Sequence, residues 1–261
     1  MIELVGITKV YSRGFLRKQK TIAVNNVTLT IKKGETLGLV GESGSGKSTL
    51  GRIALRLIEP TSGTVMFDGT DLTHLSKKEL RRFRPRMQIL FQDPDTSLDP
   101  RMTVRQCVEE PLAIWSHPGK EELDDRIAGL LGKVGLTPDL ADRYPFEISG
   151  GQKQRVALAR VLALNPEFIV ADEPTAALDL SVQAQILGLV TSLQKKTGLT
   201  LLFISHDLPV IGQMSDRIAV MHAGSIVEHG AVRDILTNPQ HTYTRQLLAA
   251  AKESEAWLGM R

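Results

Sequence analysis

The chain has 261 residues, with 32 Lys and Arg against 29 Asp and Glu, a formal net charge of +3, 42% hydrophobic residues and 5% aromatic ones. At about 150 residues per domain this is one domain, or one with an inserted subdomain, whose core must be filled by aliphatic side chains. So slight a positive balance leaves no footprint for nucleic acid, and the single cysteine, Cys107, excludes an internal disulfide and any four-cysteine metal or iron–sulfur site.

Residues 2–11, 22–32 and 64–68 alternate or cluster β-branched side chains between turn signals such as Lys33-Gly34 and Asp68-Gly69. They predict short antiparallel strands. Residues 12–20, with Arg13, Arg17, Lys18 and Lys20, read as a solvated basic connection. Residues 36–40, 168–171, 200–204 and 218–221 are nearly continuous apolar runs, as parallel strands buried on both faces require. Helical patterns occupy 47–57, 121–134, 150–164, 181–197 and 209–214, so strand and helix alternate and imply an α/β core. The region from 94 to 160 is mostly helical without a convincing strand. The expected division is a core of 1–93 and 161–230, a helical subdomain at 94–160 and a helical tail at 231–261. No uncharged apolar run reaches the ~18 residues of a membrane span, and no basic segment leads into an apolar signal core. The expected location is the cytosol, with docking on a membrane protein still open.

Gly41-Glu42-Ser43-Gly44-Ser45-Gly46-Lys47-Ser48 follows a predicted strand and opens a predicted helix, the context in which G-x-x-x-x-G-K-[ST] cradles phosphates. Its glycines let backbone N–H groups turn inward, and the helix start adds the positive end of its dipole. Lys47 supplies a cation to the β- and γ-phosphates, and the Ser48 hydroxyl is placed to ligate magnesium. A second half-site should be a carboxylate at the end of a buried strand. Phe168-Ile169-Val170-Ala171-Asp172-Glu173 has that form, with Asp172 for magnesium and Glu173 to orient or deprotonate a water.

Kinases, GTPases, helicases and ABC ATPases all use such a pair. Ile148-Ser149-Gly150-Gly151-Gln152 separates them. Ser149 and Gln152 have capping-box spacing, and the two glycines expose backbone N–H groups at a second anion-binding helix start. Two facing chains, each offering this helix end to the other's nucleotide, account for both sites.

With these motifs the chain resembles the ATP-binding subunits of ABC transporters along nearly its whole length. The resemblance implies a P-loop NTPase (RecA-like) core with an antiparallel β subdomain and an inserted helical subdomain. Tyr11 sits where that family stacks an aromatic on adenine, and Gln92 in Phe91-Gln92-Asp93 looks like the Q-loop glutamine. Ala177-Leu178-Asp179 resembles the D-loop, and His206 in Ile204-Ser205-His206-Asp207 the switch histidine. Ile148 replaces the usual leucine. The resemblance assigns Gly41, Ser43, Gly44, Ser45, Gly46, Lys47, Ser48 and Thr49 to ATP, and Ser48, Gln92 and Asp172 to Mg2+. Glu173, His206 and Gln92 become the catalytic set; Ser149, Gly150, Gly151, Gln152 and Asp179 face the partner chain's nucleotide.

Two segments narrow the resemblance to the dipeptide, oligopeptide and nickel importer ATPases. Residues 91–104, with Pro100-Arg101-Met102, look like the second of the two unlike ATPase subunits in those systems. Residues 238–248 resemble their His-Pro-Tyr-Thr tail, with Thr242 in place of proline. The expected partners are membrane permease subunits, a second ATPase subunit (unlike or identical) and, indirectly, an extracellular binding protein. The expected place is the cytoplasmic face of the membrane. The alternative is an ATPase subunit of a soluble non-transport complex such as the carbon–phosphorus lyase machinery.

Overall fold

In the computed structural model, which describes residues 1–13, 19–116, 119–176 and 178–253, alternating burial sets the first strands. β1 (Ile2–Arg13) buries Ile2, Leu4 and Ile7 and exposes Glu3 and Val5. β2 (Gln19–Ile31) buries Val24, Val27, Leu29 and Ile31. The two pair antiparallel from Ile2 opposite Ile31 out to Arg13 opposite Gln19. The ends of the segment expected as a loop at 12–20 are therefore strand. Phe15, Arg17 and Lys18 lie outside the described residues.

All five residues of β3 (Thr36–Val40) are buried, and α1 (Lys47–Ala54) follows it. This helix stops short of the expected residue 57 because Arg56 takes a left-handed backbone at φ 51. The Arg56 N–H donates to Ile53 O (2.7 Å) and the Leu57 N–H to Arg52 O (2.9 Å), which closes the last turn. The buried Arg56 side chain reaches back to donate to Leu72 O (3.0 Å) and Thr73 O (2.8 Å). β4 (Ser62–Phe67) pairs antiparallel with β1, and β5 (Thr70–Asp71) with β4. Asp68 and Gly69 join these last two at φ 52 and 78, as a two-residue primed turn demands. α2 (Lys77–Arg81) follows.

Next come β6 (Met87–Leu90), α3 (Val104–Trp115), α4 (Lys120–Lys133), α5 (Gly150–Leu162), β7 (Phe168–Asp172) and α6 (Leu180–Thr197). β6 pairs parallel with β7, Leu90 opposite Ala171. It escapes sequence reading because it is only four residues long, with Gln88 and Ile89 half-buried. A capping box opens α3: Thr103 Oγ1 accepts the Gln106 N–H (3.3 Å) and Gln106 Oε1 accepts the Thr103 N–H (2.8 Å). Arg160 on α5 bonds Glu110 on α3 at 2.6 Å. Cys107 on α3 is buried, and that burial pushes its thiol pKa up. α5 ends two residues before the expected 164, with Asn165 left-handed at φ 48.

The chain closes with β8 (Thr200–Ser205), α7 (Leu208–Met214), β9 (Arg217–His222), β10 (Ser225–Ala231), α8 (Val232–Thr237) and α9 (Thr242–Glu253). β3 lies parallel between β8 and β9, Val40 opposite both Ser205 and Val220. β10 pairs antiparallel with β9; carrying Glu228 and His229 and half-exposed, it presents no apolar run to read. α7 lies so close to β3 that a Cβ on Gly38 would stand 2.7 Å from Ile211 Cγ2. Two compact units result: Met1–Arg81 with Gly198–Arg261, and Arg82–Thr197. Among the described residues no helix is long and apolar enough to cross a membrane.

A register shift between Val5 and Thr8 sets Gly63 of β4 against β1, where a Cβ on Gly63 would lie 2.5 Å from Gly6 O. Gly63→Ala is expected to lower folding stability by about 1–3 kcal/mol, the usual cost of overpacking. Gly188 on α6 is exposed with open space around it. Gly188→Ala is expected to raise stability by about 0.5–1 kcal/mol. Urea unfolding midpoints of the two variants check both signs.

Candidate nucleotide site

The loop between β3 and α1 is shaped by where its glycines lie. Gly41 runs at φ 156 and Gly46 at φ 107; a Cβ on them would meet Met221 O at 2.0 Å and Ala23 O at 2.1 Å. No side chain with a β-carbon fits either place without moving backbone. Gly44, at φ 80, has open space and is needed for its dihedral alone. The turn after β9 backs the loop: the Gly224 N–H donates to Ser45 O (3.0 Å), and the Asn25 N–H donates to Gly224 O (2.8 Å). Sequence reading missed this support; the visible signal was the Ala223-Gly224 dipeptide, which turns at φ 45 and 85.

Gly46 is the N-cap of α1, with no side-chain cap and no acidic residue in the first turn. No carboxylate of the helix's own first turn therefore competes for its N–H groups, as anion binding prefers. Lys47, 5% exposed, folds its ammonium over the loop and donates to Gly41 O and Glu42 O, both at 2.7 Å. His206 begins the turn from β8 to α7 and is exposed. Val40 and Ser205 are opposed in adjacent parallel strands, so the 41–49 loop and His206 leave the sheet at the same carboxyl edge. Tyr11, also in this unit, is 41% exposed on β1, with Lys9 Nζ 5.1 Å from its ring centroid.

The other unit repeats the arrangement. Leu90 and Ala171 are opposed in parallel strands, so Gln92 and the Asp172–Glu173 pair emerge from one carboxyl edge. Asp172 is 5% exposed. Glu173 holds a left-handed backbone at φ 48, sparsely populated for a residue with a long side chain. Such strain persists where surrounding structure over-determines it, and it concentrates at functional sites.

Ser149 caps α5 as expected: its Oγ accepts the Gln152 N–H (3.3 Å), and Gln152 Oε1 accepts the Ser149 N–H (2.9 Å). The two glycines between them serve packing as well. A Cβ on Gly151 would stand 2.5 Å from Val182 Cγ1 of α6, and one on Gly150 would stand 3.7 Å from Leu178 Cδ2. Asp179 Oδ1 accepts the N–H groups of Ser181 (3.1 Å) and Val182 (2.9 Å) and the Ser181 hydroxyl (2.8 Å). The Val182 amide, then the Ser181 hydroxyl, holds its carboxyl below the usual carboxylate range. Ala177 lies outside the described residues. Lys153 Nζ meets Asp95 Oδ1 at 2.7 Å, and Gln154 Nε2 donates to Phe91 O at 3.4 Å, so α5 is tied to the segment around Gln92. Neither tie carried a sequence signal, because each depends on which face of α5 turns toward residues some 60 positions earlier.

The sequence profile of the ABC transporter family matches residues 24–176. A Brucella ovis protein named for ATP binding in peptide import is 49% identical over 250 residues, 96% of this chain and 78% of that one. The oligopeptide transport ATP-binding protein AppF of Bacillus subtilis is 48% identical over 229 residues, 87% of this chain and 70% of its own. Among solved structures, the dimeric post-hydrolysis state of the ATP-binding cassette MJ0796 with ADP and Pi superposes at a TM-score of 0.81 and 35% identity, over 89% of this chain and 99% of that one. A phosphate loop on a parallel sheet, a strand ending in Asp-Glu and a capped Ser-Gly-Gly-Gln helix thus have their explanation: the chain belongs to the ABC transporter family and is an ATP-binding cassette that hydrolyses ATP.

Proposed function

We propose that this ATPase energises the import of dipeptides or oligopeptides through separate permease subunits, at the cytoplasmic face of the membrane. The support for the cargo is that relatives at 48–49% identity are named for peptide import and oligopeptide transport, which favours peptides over nickel. The observation that carries the chemistry is the end of β7, where a buried Asp172 is followed by the strained backbone of Glu173.

The donor set Ser48 hydroxyl, Gln92 carbonyl and Asp172 carboxylate is all oxygen, which suits Mg2+, a hard cation. These residues would hold Mg2+, which would supply neutralisation of the charge developing on the phosphates. The chain's own residues do the rest. The glycine-shaped 41–46 backbone and Lys47 hold the β- and γ-phosphates. Ser48 and Thr49 continue the grip at the start of α1. Tyr11 stacks on the adenine. Glu173 accepts the proton of the attacking water, while Gln92 and His206 orient that water and the γ-phosphate. Ser149, Gly150, Gly151 and Gln152 offer the start of α5 to the ATP of a second ATPase chain, unlike or identical. Asp179 fixes the neighbouring face by capping α6. ATP closes the pair and hydrolysis releases it, and that cycle drives the permeases.

Lys47→Ala removes the P-loop cation and is expected to abolish tight MgATP binding; isothermal calorimetry showing unchanged affinity would overturn the assignment. Glu173→Gln keeps the shape of the side chain but loses the base. Hydrolysis is expected to fall ~10²–10⁴-fold. ATP binding persists, so a closed head-to-tail dimer should accumulate. Adding Ser149→Arg places a bulky cation at the α5 start and should dissolve that dimer. Light scattering with MgATP, with the partner subunit present, reads both; a Glu173→Gln chain that binds ATP yet stays monomeric refutes the two-chain mechanism. Co-purification from membranes tests the transport reading, which requires permease subunits among the recovered partners.

A further inference from the structure

The tail motif at 238–248 has no task in the scheme above, yet it ends on the nucleotide loop. Tyr243, in the first turn of α9, is 7% exposed, and its Oη accepts the Glu42 N–H at 3.1 Å. Its ring lies on His222, with centroids 3.9 Å apart and planes at 34°. His222 ends β9 one residue after Met221, whose carbonyl confronts Gly41. Burial pushes the phenol above its ordinary pKa, so the hydroxyl is intact at neutral pH.

The residues beside Tyr243 hold it there. Glu228 of β10 accepts the N–H groups of Gln240 (2.7 Å) and His241 (3.0 Å), which pins the chain entering α9. His241 Nδ1 accepts the N–H of Tyr243 itself (3.2 Å). Arg245 donates back to Pro239 O (3.1 Å) and Gln240 O (2.8 Å) and closes the turn. The His, Tyr and Arg of the motif thus have one geometric result: a phenol delivered to the entrance of the phosphate loop.

We infer that Tyr243 is a positioning residue for ATP, through which the C-terminal tail seats the first limb of the phosphate loop. The inference rests on the reading of residues 41–48 as the ATP site. Glu42 follows Gly41, which is fixed by steric contact, and leads into the rest of the loop. A loop braced at this point needs less ordering when phosphate enters, and the gain appears as affinity. Displacing the tail withdraws the brace, so the tail sets ATP affinity without touching ATP.

The test is Tyr243→Phe, which keeps the ring on His222 and removes only the acceptor. KM for MgATP is expected to rise about three- to tenfold, the effect of one neutral hydrogen bond, with kcat held within about twofold. Amide exchange at Glu42 should quicken in the same variant. An unchanged KM overturns the proposal, whether or not the melting temperature moves. If Tyr243→Phe does not fold, Glu228→Ala takes its place. It loosens the tail without altering Tyr243 or the loop, and it should raise KM in the same direction; unchanged KM there has the same force. Unmodified protein and Lys47→Ala run alongside. An unmodified chain that fails to bind MgATP overturns the ATP-site reading instead, so the two failures are distinct.

Discussion

The close approach of backbone to backbone around residues 41–46 governs the rest of the site. Met221 O and Ala23 O occupy the space in which the β-carbons of Gly41 and Gly46 would stand. The phosphate loop is therefore a path left between β2 and the end of β9, with no freedom to relax outward. Within that path Lys47 folds back to donate to Gly41 O and Glu42 O. The close approach also sets β9 and the turn that follows it, remote in sequence, directly against the loop. A loop wrapped by neighbours is organised before its ligand arrives, and preorganisation of this kind is worth affinity.

Parallel pairing places the remaining groups. β3 and β8 carry the phosphate loop and His206 out at their carboxyl ends, and β6 and β7 carry Gln92 and Asp172–Glu173 out at theirs. Hydrogen bonds then lock the ends of the helices: Asp179 caps α6, Asp207 accepts the Val210 N–H (3.3 Å) at the start of α7, and Ser149 caps α5. Two of these caps, Ser149 and Asp179, are also residues the family motifs single out.

Much of this was legible in the sequence because it is local. Apolar runs gave β3, β7, β8 and β9 within a residue or two, and the glycine, lysine and serine spacing gave the phosphate loop and the start of α1. Tertiary contacts account for what was misread. α1 stops early because Arg56 takes a left-handed backbone, with its side chain held by two carbonyls just after β5. β6 and β10 are short or half-exposed strands whose apolar pattern is too weak to read alone. The tail motif was recognisable as a family signature, but its contact with Glu42 spans 201 residues of sequence and leaves no periodicity to detect. The sequence marks Gly151 as a donor of exposed N–H groups; that it also makes room for Val182 follows only from the packing of α6.

Cys107 has a consequence for how this molecule can be watched. It is the only cysteine in the chain, it is 1% exposed on α3, and burial keeps its thiol protonated. Alkylating reagents act on exposed thiolates, so the native side chain is inert to brief labelling. The unaltered protein is thereby a ready background for single engineered cysteines carrying dyes or spin labels. Distances between labelled chains could then follow the ATP cycle in real time, with no core substitution made first.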